Sequence, residues 1–152
     1  MAQLFKKEDG PPLTVQQSRR QYGPILDAAA QKYGIPEALV RAVAYVESRW
    51  NPQAKSGVGA VGIMQIMPGT AEGLGVKDRT DPKQSAEGGA KLLAALYKRA
   101  GSWPVAIAAY NWGQGNVFGT GGKAPKTSAS EWPSETQTYV QDVLNAQARG
   151  VV

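Results

Sequence analysis

The stretch ESRWNPQAKSGVGAVGIMQIM, residues 47–67, begins with a glutamate that ends an apolar run and continues as a polar segment interrupted by glycines. Upstream, Val40, Val43 and Ala44 share one face of a predicted helix with this glutamate by the i, i+3, i+4, i+7 rule. The glycines that follow end any helix. The pattern predicts that a polar segment folds back over a single carboxylate, which is an arrangement suited to an active site with one acid.

Glu47 is the candidate catalytic residue. Three effects predict a raised pKa for its carboxyl: desolvation by the apolar face, the negative end of the helix dipole, and the absence of Lys or Arg one turn back, where Val43 and Ala44 stand. A carboxyl with a raised pKa can act as a general acid near neutral pH. The helix alone leaves a second interpretation open, in which Glu47 extends into solvent beside Arg49 at a frayed helix end.

The composition excludes several classes of site. The chain has 152 residues, enough for one compact domain, and it contains no cysteine and no histidine. Disulfides, thiolate and imidazole metal ligands and His-dependent triads are therefore excluded, and carboxylates are left as the groups for proton transfer. We expect no metal site and no cofactor.

The net charge of +5 favours an anionic partner, such as nucleic acid, an anionic membrane or the acidic bacterial wall. The basic residues form no dense tract, which disfavours a nucleic-acid-binding module. No window reaches the ~18 apolar residues of a membrane span. Residues 1–10 carry Lys6, Lys7, Glu8 and Asp9 where a signal peptide needs an apolar stretch. We therefore expect no membrane span and no signal peptide, and export by another route.

Helix and turn patterns predict a mainly helical single domain. Residues 1–17, which include Gly10-Pro11-Pro12, are predicted to be a flexible N-terminal arm, and residues 18–152 the domain. Helices are expected from near Pro24 to Gly34, from Pro36, from Pro82 with Asp81 as its N-cap, from Val105 to Tyr110, and from Ser134, which stands at capping-box spacing to Gln137. Residues 111–133 form the longest irregular stretch, and such a loop is typically functional or disordered.

Several groups of residues stand in a distinctive order along the chain. They are Glu47-Ser48, Asn51-Pro52-Gln53-Ala54, Ser56, Gly59-Ala60-Val61-Gly62, the run from Ile63 to Ala71, Ala108-Ala109-Tyr110-Asn111 with Gly113 and Gly115, and Pro133 with Glu135-Thr136 and Tyr139-Val140. In this order they resemble the motifs of the soluble lytic transglycosylases (the SLT family), lysozyme-like enzymes that cut bacterial peptidoglycan. The resemblance covers residues 22–145.

The resemblance implies a mainly α, lysozyme-like fold of the goose-type lysozyme and SLT kind, with one catalytic acid. In the family, the glutamate that matches Glu47 protonates the glycosidic oxygen between N-acetylmuramic acid and N-acetylglucosamine. The 2-acetamido oxygen of the substrate supports the anomeric carbon, so that no second enzymic carboxylate is needed. The same glutamate then acts as a base toward the 6-hydroxyl of the sugar and closes a 1,6-anhydro ring.

The resemblance also implies a set of substrate-binding residues: Ser56, Gln65, Met67, Tyr110, Asn111, Glu135 and Tyr139. Within this set, Tyr110 is expected to hydrogen-bond and orient Glu47. The residues themselves leave other roles open. Met64 and Met67 could fill the core, Tyr110 and Tyr139 could serve packing alone, and Glu135 could stabilise a helix N-terminus.

Two departures from the family pattern concern the cleft and the route to the wall. Trp112 and Gln114 stand where the family more often has a small residue and proline, so we expect a bulkier cleft rim or one that stacks a sugar ring. Without a signal peptide, the chain resembles phage-encoded or secretion-apparatus members, and virion, tail or secretion proteins are expected partners beside peptidoglycan.

Three alternatives to a transglycosylase are compatible with these observations. The first is a lysozyme of the same fold that hydrolyses the bond with water. The second is a non-catalytic wall-binding or virion structural domain, which the intact Glu47, Gln65 and Tyr110 disfavour. The third is a basic nucleic-acid-binding domain, which the dispersed basic residues disfavour.

Overall fold

The computed structural model describes residues 13–150, and within them the fold is mainly helical, as expected. The helices are α1 (Val15–Tyr33), α2 (Glu37–Ser48), α3 (Pro68–Leu74), α4 (Pro82–Ala100), α5 (Trp103–Trp112), α6 (Gln114–Phe118) and α7 (Ser134–Arg149), with a 3-10 turn at Ala129–Glu131. No named strand occurs in this part of the chain.

Helix α1 begins earlier than expected, at Val15, because a capping box precedes it. The backbone N–H of Thr14 donates to Oε1 of Gln17 at 2.8 Å, and the N–H of Gln17 donates to Oγ1 of Thr14 at 3.1 Å. Pro24 lies inside the helix, so the expected start near this proline is wrong. Of the predicted arm, residues 1–12 lie outside the described residues, and residues 14–17 form the cap and first turn of α1.

Helix α2 is central because it packs against α1, α7 and α4. Its buried face includes Leu39, Val40 and Val43, each with no exposed surface. Complete burial of such a side chain contributes roughly 1.5–3 kcal/mol. Arg41, at the edge of this face, joins α2 to α1 through two bonds to Asp27, Nε to Oδ1 at 2.7 Å and Nη2 to Oδ2 at 2.6 Å. The buried helix that carries Glu47 is therefore fixed on several sides.

After α2 the chain enters a glycine-rich segment, residues 51–67, which has no regular secondary structure. Arg49 and Trp50 both have positive φ values, of 52° and 60°, and turn the chain out of the helix. Two isolated antiparallel bridges, Lys55 with Val61 and Val61 with Ile66, are the segment's only ladder contacts within the described residues. The segment therefore depends on its neighbours for its shape.

Two glycines of α4 lie where other parts of the chain pack against this helix. One contacts the glycine-rich segment, and the other contacts the loop that follows α3. A Cβ on Gly89 would lie 2.6 Å from Cε of Met64, and a Cβ on Gly88 would lie 2.5 Å from Cγ2 of Val76. Their missing side chains thus allow the fully buried Met64 to approach the helix backbone. Met64 is therefore a core residue, as the packing interpretation proposed.

The stretch 111–133 is more ordered than a loop. Helix α6 lies within it and buries Val117, whose carbonyl accepts a bond from the N–H of Lys126 at 2.7 Å. The carbonyl of Lys126 accepts a bond from Nε1 of the buried Trp132 at 2.9 Å. The expectation of one long irregular loop is therefore wrong.

Two of the expected helix caps can be compared with the structure. Asp81 caps α4, since its Oδ2 accepts a bond from the N–H of Gln84 at 3.1 Å, and this cap is confirmed. The capping box at Ser134 is wrong, because Ser134 is already helical and Pro133 is the N-cap. The side chain of Gln137 instead donates to the carbonyl of Trp132 at 2.9 Å.

We predict that Gly62→Ala destabilises the fold far more than Gly59→Ala. Both glycines have φ near the same value, 95° and 98°, so both changes introduce similar backbone strain, about 1–3 kcal/mol. A Cβ at Gly62, however, would lie 1.9 Å from the carbonyl oxygen of Arg79, and one at Gly59 would meet nothing closer than 4.0 Å. We expect a loss of more than about 4 kcal/mol for Gly62→Ala in urea unfolding.

Gly57→Ala is the control, because Gly57 does not have a positive φ and has open space around it. It should change the free energy of unfolding by less than about 1 kcal/mol. Equal losses for Gly62→Ala and Gly59→Ala would contradict the predicted clash with Arg79.

Candidate active site

Glu47 lies in the last turn of α2, and its side chain is partly buried. The hydroxyl of Tyr139, which is buried on α7, donates to Oε2 of Glu47 at 3.0 Å. Because α2 and α7 pack side by side, this bond joins two residues that are 92 positions apart in the sequence. The contact fixes the direction of the carboxyl group.

Burial raises the pKa of Glu47 from 4.5 to about 7, and the hydrogen bond from Tyr139 acts in the opposite direction. Burial raises the pKa because removing the carboxylate from water disfavours its charged form, and this effect is larger than that of the hydrogen bond. Near neutral pH, therefore, the protonated and ionised forms of Glu47 are both populated. This is the condition for a group that both donates and accepts a proton in one reaction cycle.

No cation pairs with Glu47 in residues 13–150, where the two ion pairs are Lys32 with Glu87 and Arg41 with Asp27. Arg49, which follows α2, is held elsewhere: its guanidinium carbon lies 4.8 Å from the centre of the Tyr45 ring. Glu47 is thus partly buried at a capped helix end and does not extend into solvent beside Arg49.

Tyr110 does not make the bond to Glu47 that was expected of it. Its hydroxyl donates instead to the carbonyl oxygen of Met64, at 2.7 Å, and Tyr139 takes the place next to the carboxyl. Burial and then the negative charge of Glu47 raise the pKa of both tyrosines well above 10. Both hydroxyls therefore keep their protons and act as donors.

Ser48 lies next to Glu47 and was not among the predicted site residues. Its hydroxyl lies 2.7 Å from the carbonyl oxygen of Ile63 and 3.1 Å from that of Ala44. Together, Ser48 from α2 and Tyr110 from α5 bond the consecutive carbonyls of Ile63 and Met64. In the sequence, the only indication that Ser48 anchors the glycine-rich segment was its position next to Glu47 in the first motif.

Gln65 and Ser56 brace the glycine-rich segment from within. Nε2 of Gln65 donates to the carbonyls of Ala54 and Gly62, at 3.0 and 2.9 Å. Oγ of Ser56 accepts a bond from the N–H of Ala60 at 2.9 Å. These contacts use the amide nitrogen of Gln65 and the hydroxyl oxygen of Ser56, so the amide oxygen and the hydroxyl proton are left for another partner.

The remaining predicted residues lie at the surface. Met67 is 41% exposed, and Asn111 and Glu135 are exposed as well. Oδ1 of Asn111 accepts a bond from the hydroxyl of Thr136 at 2.9 Å, which joins the end of α5 to the first turn of α7. Thr136 is itself buried and was not among the predicted site residues.

The predicted residues are therefore brought together in part. Glu47 and Tyr139 touch, and Tyr110 bonds the glycine-rich segment to which Gln65 belongs. No hydrogen bond among the described residues links Glu47 to the other predicted residues, Ser56, Met67, Asn111 and Glu135.

Comparison with known proteins identifies the kind of domain that carries this geometry. Residues 24–133 match the family model of the transglycosylase SLT domain. The chain belongs to this family. The expected family and the mainly α, SLT-type fold are thereby confirmed.

Among its relatives, this SLT domain is 36% identical over 124 residues to the transglycosylase of Enterobacteria phage PRD1. The aligned residues cover 82% of this chain and 42% of the phage protein. It is 41% identical over 105 residues to the membrane-bound lytic murein transglycosylase F of Maricaulis maris, covering 64% of this chain and 23% of the relative. The chain thus spans less than half the length of these relatives.

Among solved structures, the SLT domain resembles the 70 kDa soluble lytic transglycosylase SLT70 of Escherichia coli, with a TM-score of 0.67 and 28% identity. The match covers 87% of this chain and 25% of the other.

Two further findings concern the described residues, 13–150. Within them, no group of three or more acidic side chains is placed to hold a metal ion. No helix in this range is both long enough and apolar enough to cross a membrane.

We predict that Tyr139→Phe raises the pKa of Glu47 further above 7 by removing the hydrogen bond that favours the ionised form. A rise of roughly half a pH unit or more corresponds to a bond of ordinary strength. Titration of the side-chain carboxyl carbons by NMR measures this value, and the resonance lost in Glu47→Gln identifies Glu47.

Tyr110→Phe is the matched control, because it removes a hydroxyl that bonds Met64 and not Glu47. Its effect on the pKa of Glu47 should be the smaller of the two. A larger effect of Tyr110→Phe, or a lowered pKa in Tyr139→Phe, would contradict the assignment of the two hydroxyls.

Proposed function

We propose that this chain is a peptidoglycan lytic transglycosylase, which cleaves the β-1,4 bond between N-acetylmuramic acid and N-acetylglucosamine and leaves a 1,6-anhydro end. The observation that carries the proposal is the state of Glu47. In an SLT domain, this carboxyl is partly buried, bonded by Tyr139, and has a pKa near 7. It can therefore supply a proton at neutral pH and take one back.

In the first step, the protonated carboxyl of Glu47 gives its proton to the glycosidic oxygen. The bond from that oxygen to the anomeric carbon breaks, and the acetamido oxygen of the substrate supports the anomeric carbon. Tyr139 keeps its own proton and donates to the carboxylate that Glu47 becomes. This bond favours the ionised form and so lowers the free energy of the proton transfer.

In the second step, the carboxylate of Glu47 accepts the proton of the 6-hydroxyl as that oxygen bonds to the anomeric carbon. The proton lost in the first step is thereby regained, and no water is consumed. A single acid is enough for this cycle. In agreement, the shift in the pKa of Glu47 arises from burial and from Tyr139, with no contribution from another carboxylate.

We also propose that the glycine-rich segment binds the glycan. The amide oxygen of Gln65 and the hydroxyl proton of Ser56 are available to sugar hydroxyl and acetamido groups, and the exposed side chain of Met67 offers an apolar contact. Asn111 and Glu135 are proposed to contact the substrate from α5 and α7, near the bond between Asn111 and Thr136. Tyr110 acts indirectly, by holding the carbonyl of Met64.

We predict that incubation with purified sacculi releases muropeptides that are one water lighter than reducing muropeptides. Mass spectrometry of the released fragments makes this measurement. Glu47→Gln should lower the rate of release by a factor of roughly 10² to 10⁴, because glutamine keeps the shape of the side chain and has no transferable proton.

Glu72→Gln is the matched control, because Glu72 is an exposed carboxylate on α3. It should retain full activity. Reducing ends in the products would mean a hydrolytic lysozyme on the same scaffold. Absence of release by the folded wild-type protein would mean a binding or structural role, and activity in Glu47→Gln would refute the mechanism with one acid.

For the route to the wall, we propose delivery by a virion or a secretion apparatus. The similarity to a transglycosylase of phage PRD1 supports this proposal. We predict that the protein is present in purified virions or secretion complexes of its source, as detected by peptide mass spectrometry. Absence from both assemblies would contradict the proposed route and leave the proposed reaction unaffected.

A further inference from the structure

Arg79 lies in the loop between α3 and α4 and reaches across to the glycine-rich segment. Its Nη1 donates to the carbonyl oxygen of Gly59 and to that of Ile66, both at 2.8 Å. This nitrogen carries two hydrogens, so each carbonyl can receive its own. One guanidinium nitrogen thus joins two points of the segment that are seven residues apart.

The backbone of Arg79 contacts the same segment at a third point. Its carbonyl oxygen lies so close to Gly62 that a Cβ there would be 1.9 Å away. The side chain and the backbone of Arg79 therefore contact Gly59, Gly62 and Ile66 together.

The loop that carries Arg79 is itself fixed to α4. Oε1 of Gln84 accepts bonds from the N–H groups of Lys77 and Asp78, at 3.0 and 3.1 Å. Oδ1 of Asp78 accepts bonds from the N–H and the hydroxyl of Thr80, at 2.9 and 2.6 Å. Arg79 thus lies within a turn that is held by hydrogen bonds and that immediately precedes α4.

Two of the residues proposed to meet the glycan lie next to a point of the segment that Arg79 holds. Gln65 and Met67 stand on either side of Ile66, whose carbonyl Arg79 bonds. Gln65 has a φ of 52°, in the left-handed region that is uncommon for a residue with a side chain and costs conformational energy. Arg79 bonds the carbonyl of the next residue, Ile66, and so restrains the backbone beside Gln65.

We propose that Arg79 is a positioning residue for glycan binding, which holds the glycine-rich segment in the conformation that presents Gln65 and Met67 to the substrate. This inference rests on the proposed function, because the glycan is the substrate of that reaction. Arg79 makes no hydrogen bond to Glu47 or Tyr139 in the described structure. Its loss therefore acts on binding and leaves the acid unchanged.

The first test separates KM from kcat, with a soluble glycan oligosaccharide from peptidoglycan as the substrate. We expect Arg79→Met to raise KM about tenfold or more, with kcat changed less than threefold and the pH dependence of kcat unchanged. A purely structural role would instead lower the folded fraction, which reduces the apparent kcat and leaves KM unaltered. That outcome would overturn the proposal.

Lys77→Met is the matched control, because it removes the same charge from the same loop. Lys77 is exposed, and neither of the two ion pairs in residues 13–150 includes it. Its KM should stay within twofold of the wild-type value. An equal rise of KM in Lys77→Met and Arg79→Met would mean attraction of an anionic glycan by charge and would overturn positioning.

The second test measures binding of the same oligosaccharide by titration calorimetry with Glu47→Gln, which should bind without turnover. Adding Arg79→Met to this variant should weaken binding about tenfold, and adding Lys77→Met should not. Equal binding by Glu47→Gln with and without Arg79→Met would refute the role of Arg79 while leaving the proposed function intact. Failure of Glu47→Gln to bind at all, with no release by the wild-type protein, would overturn both.

Discussion

A backbone without helix or sheet must find partners for its polar groups elsewhere, and this constraint governs the glycine-rich segment. Ser48 and Tyr110 bond the carbonyls of Ile63 and Met64 from two different helices. The N–H of Met64 donates to the hydroxyl of Ser85 on α4 at 3.3 Å. Three helices are thus joined through one irregular stretch of chain. The relative placement of these helices and the conformation of the segment therefore depend on each other.

The acid depends on the same arrangement. Glu47 adjoins Ser48, so the helix turn that anchors the segment is also the turn that presents the carboxyl. The neighbouring helix α7 contributes Tyr139 to the carboxyl, and Thr136 on the same helix binds Asn111 at the end of α5. The packing of α2 against α7 buries this carboxyl. Burial disfavours its charged form and so raises its pKa to about 7.

Much of the fold could be predicted from the sequence, because helical periodicity and caps such as Asp81 depend on neighbours in the chain. The start of α1 could not, since Gly23 and Pro24 resemble a helix boundary. In the structure, a Cβ on Gly23 would lie 2.9 Å from Nη2 of Arg41, so this glycine serves the packing of α2 on α1. Pro24 remains inside a helix of 19 residues that begins with a good cap.

The site was predicted less completely, for a different reason. Both tyrosines could be recognised, but which hydroxyl reaches Glu47 depends on how α5 and α7 pack on α2. Ser48, Arg79 and Thr136 act through bonds to distant partners, and such bonds leave no periodic pattern in a sequence. Local chemistry could therefore be predicted, and the pairing of distant groups required the structure.

The two methionines of the glycine-rich segment differ in one further respect, which is their accessibility to oxidants. Met67 exposes 41% of its surface, and Met64 exposes none. Peroxide converts an accessible thioether into a polar sulfoxide, and a sealed one reacts slowly. Oxidation would thus change the polarity of the surface beside Gln65 before it changed the core. Because Met67 is exposed, its sulfoxide would also be accessible to a methionine sulfoxide reductase.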